Sequence, residues 1–236
     1  MKDSFSLKLL SMLLASAVIG VTAVPADATL IDRGGGLIYD TDLNITWLQD
    51  ANLAATNTFG VSGISFGIMD NWNTAQSWIG AINTANYLGY SDWRLPNTVD
   101  GPYVFGYDGT TSGGYNITTS EMGHLYYTEL GNLGYYDTSG NPQFGYGLVN
   151  TGPFINLQTY DYWSGTEYST YTGGAWSFNF GVANFDGIQQ ASDKNNRFYA
   201  WAVRDGDVSA VPEPSTLLLL GSGLAGLAVF RKRFKA

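Results

Sequence analysis

Asp92-Trp93-Arg94-Leu95-Pro96 is the stretch on which the fold reading turns. Trp93-Arg94-Leu95 is strand-like, and Pro96 fixes the chain direction after it, because the proline ring locks φ and removes a backbone donor. The Arg94 guanidinium carries five donors in a plane, enough to tie down several loop carbonyls or a carboxylate such as Asp92 or Glu121. Arg94 is therefore expected to hold the fold rather than a ligand. Upstream, Trp72, Ala75, Trp78, Ile79, Ile82 and Ala85 recur at helical spacing, with Asp70 or Asn71 available as the cap. Downstream, a second helix is expected from Thr119 or Ser120 to Gly131, burying Met122, Leu125, Tyr126 and Leu130.

Strand patterns lie outside these helices. Leu37-Ile38-Tyr39 and Ile45-Thr46-Trp47 flank the polar turn Asp40-Thr41-Asp42-Leu43-Asn44. Trp176, Phe178 and Phe180 alternate with Ser177 and Asn179, the pattern of a half-buried antiparallel strand. Residues 198–203 are apolar on both faces and predict a central strand. The class is α+β, with strands at both ends and helices between. The segments 97–118 and 132–159 are left as long Gly-rich loops, a length usually reserved for function or mobility.

The chain has 236 residues, no cysteine, one histidine and seven tryptophans, a length that predicts one domain or two small ones. A formal charge of −9 with 13% charged residues argues against a nucleic-acid binder, which normally clusters basic side chains. Hydrophobic residues at 44% and aromatics at 15% supply ample core material. The missing cysteine excludes a disulfide scaffold, a zinc–cysteine site and a thiol enzyme.

Both ends read as targeting segments. Residues 1–28 combine Lys2 and Lys8, an apolar run and the small-residue site Ala26-Asp27-Ala28, so a signal peptidase is expected to cut after Ala28. At the other end, Val211-Pro212-Glu213-Pro214-Ser215-Thr216 leads into the apolar segment 217–230 and the cluster Arg231-Lys232-Arg233. As a helix, that segment spans only about 21 Å against a hydrocarbon core of about 30 Å. Its basic end should stay cytoplasmic, leaving the body outside. This three-part arrangement resembles the PEP-CTERM sorting signal of Gram-negative bacteria. The resemblance implies recognition of Pro212, Glu213 and Pro214 by an exosortase, transient inner-membrane insertion, and a host that makes extracellular polysaccharide.

Between the ends, residues 29–210 carry five basic side chains against seventeen Asp and Glu, a balance of −12. Such a domain repels polyanions and attracts divalent cations diffusely. Its order of motifs is Asp92-Trp93-Arg94-Leu95-Pro96, Tyr162-Trp163-Ser164-Gly165-Thr166-Glu167-Tyr168, Ala175-Trp176-Ser177-Phe178 and Ala202-Val203-Arg204. That order is similar to the Lcl_C family over 37–207, with Trp93, Arg94, Leu95, Pro96, Trp163, Glu167, Trp176 and Arg204 as structural motif positions. The resemblance implies a C-type-lectin-like or formylglycine-generating-enzyme-like fold, two helices on small antiparallel sheets with long loops on one side. Many members have a cysteine where this chain has Ala202, so aromatic packing must supply the stability here. Without cysteines, formylglycine-generating chemistry is excluded.

Catalytic and metal-binding patterns are sparse. Asp40-x-Asp42-x-Asn44 opens like an EF-hand, but Ile45 and Ala51 stand where glycine and glutamate are required, so a polar β-turn is expected. His124 has no identifiable partner, and no cofactor is expected; calcium stays open as a diffusely attracted ion, with no motif to hold it. Glu121, Glu129, Asp161 and Glu167 are the acids from which a glycosidase pair would have to come. Glu121 is better explained by the helix dipole and Glu167 by the sheet.

The loops carry the binding candidates: Tyr103, Phe105, Tyr107 and Tyr115 in the first, Tyr135, Tyr136, Phe144 and Tyr146 in the second. Rigid amphipathic rings beside Asn and Asp can stack on sugar faces; alternatively they pack the loops down. The expected function is a non-enzymatic cell-surface or matrix protein that binds exopolysaccharide or another envelope component. A structural matrix component without a ligand and an exported carbohydrate-active hydrolase are the alternatives.

Overall fold

The structure, a computed structural model, describes residues 30–182 and 184–208. Ala28, Pro212, Glu213, Pro214 and the segment 217–230 lie outside the described residues. In chain order the elements are β1 (Leu30–Gly34), β2 (Leu37–Asp40), β3 (Ile45–Leu48), β4 (Ile64–Ser65), β5 (Ile68–Met69) and helix α1 (Trp72–Thr84). Next come β6 (Phe105–Gly106), β7 (Gly113–Gly114) and α2 (Glu121–His124), which runs on into a π-helical turn, Leu125–Glu129. The last third holds β8 (Asp161–Glu167), β9 (Gly174–Asn179), β10 (Gln189–Asp193), β11 (Phe198–Tyr199) and β12 (Val203–Asp205). Among the described residues, no helix is long and apolar enough to cross a membrane.

Two sheets organise the chain. The first is antiparallel, in the order β1-β2-β3-β12, and the second has eight strands, β4-β5-β11-β8-β9-β10-β7-β6. The expectation of small, wholly antiparallel sheets needs correction, because β11 pairs with β8 and β6 with β7 in parallel. The strand predicted over 198–203 is also corrected. Phe198–Tyr199 belongs to the second sheet and Val203–Asp205 to the first, so the chain changes sheets at Ala200-Trp201-Ala202. Those three residues are apolar throughout because they cross the core, and each is at most 1% exposed.

Helix α1 follows its sequence pattern. Asn71 accepts a hydrogen bond from Thr74 N at 2.9 Å, and Trp72, Ala75, Trp78, Ile79 and Ile82 are buried. Ser120 likewise caps α2, accepting from Gly123 N at 3.1 Å. Met122, Leu125, Tyr126 and Leu130 are all buried, as the spacing predicts. Strand β9 differs from expectation, since both its faces are buried. Its polar face is matched internally: Ser177 Oγ meets Ser192 Oγ at 2.9 Å, and Asn179 Nδ2 donates to Asp161 at 2.8 Å.

The motif around Arg94 joins these parts. Arg94 exchanges two backbone hydrogen bonds with Val203, both 2.8 Å, which attaches the segment to β12. Asn83 on α1 clamps the backbone of Trp93 from both sides. The Arg94 guanidinium reaches both oxygens of Glu121, at 2.7 and 2.8 Å, and also Asp205. Asp92 takes the other arginine, Arg204, in a two-pronged pair at 2.7 and 2.9 Å, and that guanidinium lies over the Tyr90 ring. Pro96 O accepts from Ser164 Oγ and Gly165 N, which fastens the motif to β8. Trp163 packs on Phe198 with ring centres 4.5 Å apart. Glu167 stands at the exposed end of β8, where it pairs with Lys194 at 3.0 Å.

Candidate binding surface

The two long loops meet in one aromatic surface. Strands β6 and β7, both inside the first loop, pair closely enough that a Cβ on Gly114 (φ +112°) would fall 1.9 Å from Gly106 O. Only glycine allows that approach. The pairing sets Phe105 against Tyr107 at 5.1 Å and against Tyr115 at 6.2 Å. Tyr136 from the second loop then meets Tyr107 and Tyr115, each at 5.1 Å. Tyr135 continues the row to Tyr136 at 4.7 Å and to Tyr146 at 4.8 Å. Edge-to-face geometry dominates, as the ring quadrupoles favour.

Exposure separates these residues into two groups. Phe105 is 45% exposed, Tyr146 39% and Phe144 99%, while Tyr107, Tyr135 and Tyr136 are half-buried. Tyr115 is a correction to the ligand-facing set. It is buried under the others, its hydroxyl donates to Asn184 O at 2.8 Å, and burial pushes its pKa upward. Tyr103 leaves the row for a different neighbour: its ring lies 6.1 Å from that of Trp176. Of the eight loop rings named from the sequence, the loops thus join six in one row, set Phe144 in a cleft beside Tyr135 and Tyr146, and leave Tyr103 apart.

Two shallow clefts involve residues of these loops. One, of about 180 Å3, is lined by Tyr135, Pro142, Gln143, Phe144 and Tyr146. The other, of about 280 Å3, is lined by residues including Val99, Asp100, Thr110, Ser112 and Gln189. Hydrogen bonds from Ser169 and Trp176 hold the Asp100 carboxyl down at about 2, so it is ionised there. Enclosed small-molecule pockets usually run from about 300 to 1,000 Å3. These clefts suit an extended ligand lying across a surface.

The acids available for hydrolysis are dispersed. Glu121 is bound to Arg94, Glu167 to Lys194, and Glu129 contacts His124 at 3.3 Å. None of the four lines either cleft. Asp161 lies buried between Asn179 and Gln190, and desolvation pushes its pKa from 3.8 up to about 6. Between those values the folded protein keeps a proton that the unfolded chain has lost. The associated stability is fully present below the unfolded pKa and is lost as pH rises through the folded one, about 3 kcal/mol in all. Asp161→Asn retains both neighbours once the Gln190 amide turns over. Its unfolding free energy, compared with wild type in urea titrations at pH 4 and pH 8, should be relatively higher at pH 8. Parallel pH profiles for the two proteins would remove Asp161 as the source.

His124 is not alone, contrary to the sequence reading. Its Nε2 lies 3.3 Å from Glu129 and 3.8 Å from Asp42, and Asp40 is in the same cluster. The reason is the π-helical turn. In an α-helix, residues five apart point about 140° away from each other, whereas the wider turn puts Glu129 beside His124. Nothing in the residue pattern marks that turn. Burial pushes both the Asp40 and Glu129 carboxyls upward in pKa, with Asp40 adding to the effect on Glu129.

A two-sheet α+β domain, bound together by an arginine-centred motif and carrying an aromatic loop surface, is the class these features define. The chain belongs to the Lcl C-terminal domain family, which matches residues 36–204. A PEP-CTERM protein-sorting motif follows at residues 210–233 and marks the chain as an exported protein processed by an exosortase. No curated protein and no solved structure matches the chain.

Proposed function

We propose that this protein is a non-enzymatic cell-surface or matrix module that binds polysaccharide across the aromatic row formed by its two long loops. The observation that carries this reading is the continuity of Phe105, Tyr107, Tyr136, Tyr135 and Tyr146, drawn from loops about 30 residues apart into one half-exposed surface. Flat rings beside Gln143 suit sugar faces and hydroxyl groups together. A C-type-lectin-like architecture, with loops presented on one side of the sheets, accords with this use. Export and sorting supply the setting, in which exopolysaccharide or another envelope glycan is the partner. The dispersal of the four acids favours a binding role over hydrolysis.

A structural matrix role without a specific ligand is the second reading, and the burial of Tyr115 favours it, since at least one ring is committed to packing. Retention of the full chain, purified in detergent, on the producing organism's exopolysaccharide separates the two. Phe105→Ala, Tyr135→Ala and Tyr146→Ala should each weaken retention by about 5- to 30-fold, as loss of an aromatic anchor commonly does. Phe66→Ala is the control, because Phe66 is 87% exposed in the β4–β5 turn at the far edge of the same sheet. Equal retention by all five proteins, wild type included, would assign the rings to packing.

A further inference from the structure

The cluster between the β2–β3 turn and the π-helical turn has donors but too little charge to balance them. Asp40 is 0% exposed and the Glu129 side chain 0%, so two carboxyl groups are withdrawn from water beside the ring of His124. The charges that act most strongly on the two acids are those of His124 and of neighbouring carboxylates. Burial of uncompensated carboxylates is costly, and proteins normally pair such groups or use them to coordinate metal. Asp40 is already oriented by the backbone N–H groups of Asp42 and Leu43, at 3.1 and 3.0 Å, and by Trp47 Nε1 at 3.4 Å. The second oxygen of Glu129, Oε2, is buried and has no hydrogen-bond partner at all. The cluster thus includes a buried carboxylate oxygen with no donor to meet it.

We propose that Asp40, His124 and Glu129 form a binding site for one divalent transition ion of the zinc type. One ligand atom from each lies within 4.8 Å of the others, close enough that a modest inward shift of the side chains brings all three onto one ion at about 2.0–2.2 Å. The imidazole selects against calcium and magnesium, which prefer oxygen alone. Asp42, partly exposed and 3.8 Å from His124 Nε2, stands on the open side, where it or water completes a tetrahedron. The hydrogen bonds to Asp40 supply the outer support that metal ligands normally require. The bound ion ties the β2–β3 turn to the second helix, two segments more than 80 residues apart, and its role is to lock the domain. The π-helical turn is what makes the site, in keeping with the concentration of such turns at functional positions.

The test uses the full chain after chelator treatment, titrated calorimetrically with Zn2+ and separately with Ca2+. One Zn2+ per chain is expected, with Tm raised by about 5–10 °C when the free ion is 100-fold above Kd. Because His124 is the only histidine, its ring nitrogens give a single set of NMR signals, and the Nε2 resonance should move on Zn2+ addition. Glu129→Gln, which preserves shape, should weaken Zn2+ by about 100-fold or more, beyond the 10- to 100-fold typical of outer-shell changes. Absence of a one-to-one Zn2+ complex, Zn2+ uptake that leaves the His124 resonances unmoved, or Ca2+ binding of equal strength would each overturn the proposal. The wild-type NMR result stands even where a variant fails to fold.

Discussion

Trp201→Ala is expected to produce the largest single loss of stability in the domain, about 3–5 kcal/mol, seen as a Tm lower by about 6–20 °C in a thermal scan. Trp201 occupies the point at which the chain passes from one sheet to the other. Its ring lies 4.7 Å from Trp47 of the first sheet, 4.8 Å from Phe154 and 5.9 Å from Tyr162 of the second. Its Nε1 donates to Leu48 O at 2.7 Å. Removing the indole empties the seam between the sheets, where backbone on both sides prevents collapse. Trp201→Phe keeps most of the aromatic contact and loses the donor, so it should cost about 1–3 kcal/mol. A Trp201→Ala protein as stable as Trp201→Phe would mean that the sheets do not depend on this seam.

Arg94→Ala should be the next most damaging substitution, at about 3–4 kcal/mol in urea unfolding, the range seen when one partner of a buried pair is removed. Glu121 is only 15% exposed and accepts from Arg94 through both oxygens, so truncation strands its charge. The same variant releases Asp205, while the backbone attachment to Val203 of β12 stays in place. Arg94→Lys retains a positive charge but cannot fork to two oxygens, and should recover less than half of the loss. Arg204→Ala gives the comparison: its partner Asp92 is 54% exposed, and water replaces the pair at a cost of about 1 kcal/mol. Equal costs at Arg94 and Arg204 would show that burial of Glu121 contributes nothing.

The sequence made legible those elements whose signals are local. Asn71 and Ser120 announce their helices because a cap needs only its own next three residues, and α1 carries a long periodic stripe. The hairpin of β2 and β3 is equally local. What escaped depends on remote partners. Ser177 and Asn179 look solvent-facing along β9, but Ser192 and Asp161, on neighbouring strands, allow that face to be buried. The run 198–203 is uniformly apolar whether it forms one central strand or crosses between two sheets. The binding surface was half readable: composition placed the rings on loops, whereas the glycine-tight pairing of β6 with β7 decided that Tyr115 lies beneath and Phe105 above. The Asp40–His124–Glu129 cluster had no sequence signature, since a five-residue spacing meets only after the helix widens.

The position of β12 shapes how the protein comes to exist. A chain threaded across a membrane from its N-terminus delivers β1, β2 and β3 first, yet β3 receives its second neighbour only when Val203–Asp205 arrives. Throughout that interval the outer edge of β3 offers open amide and carbonyl groups, next to a Trp47 not yet covered by Trp201. Such an edge can recruit the same strand from another emerging molecule. Late closure at β12 therefore leaves the first sheet incomplete until nearly the whole domain has emerged. The sorting motif begins at residue 210, five residues beyond the end of β12. Cleavage there before closure would act on a half-assembled molecule.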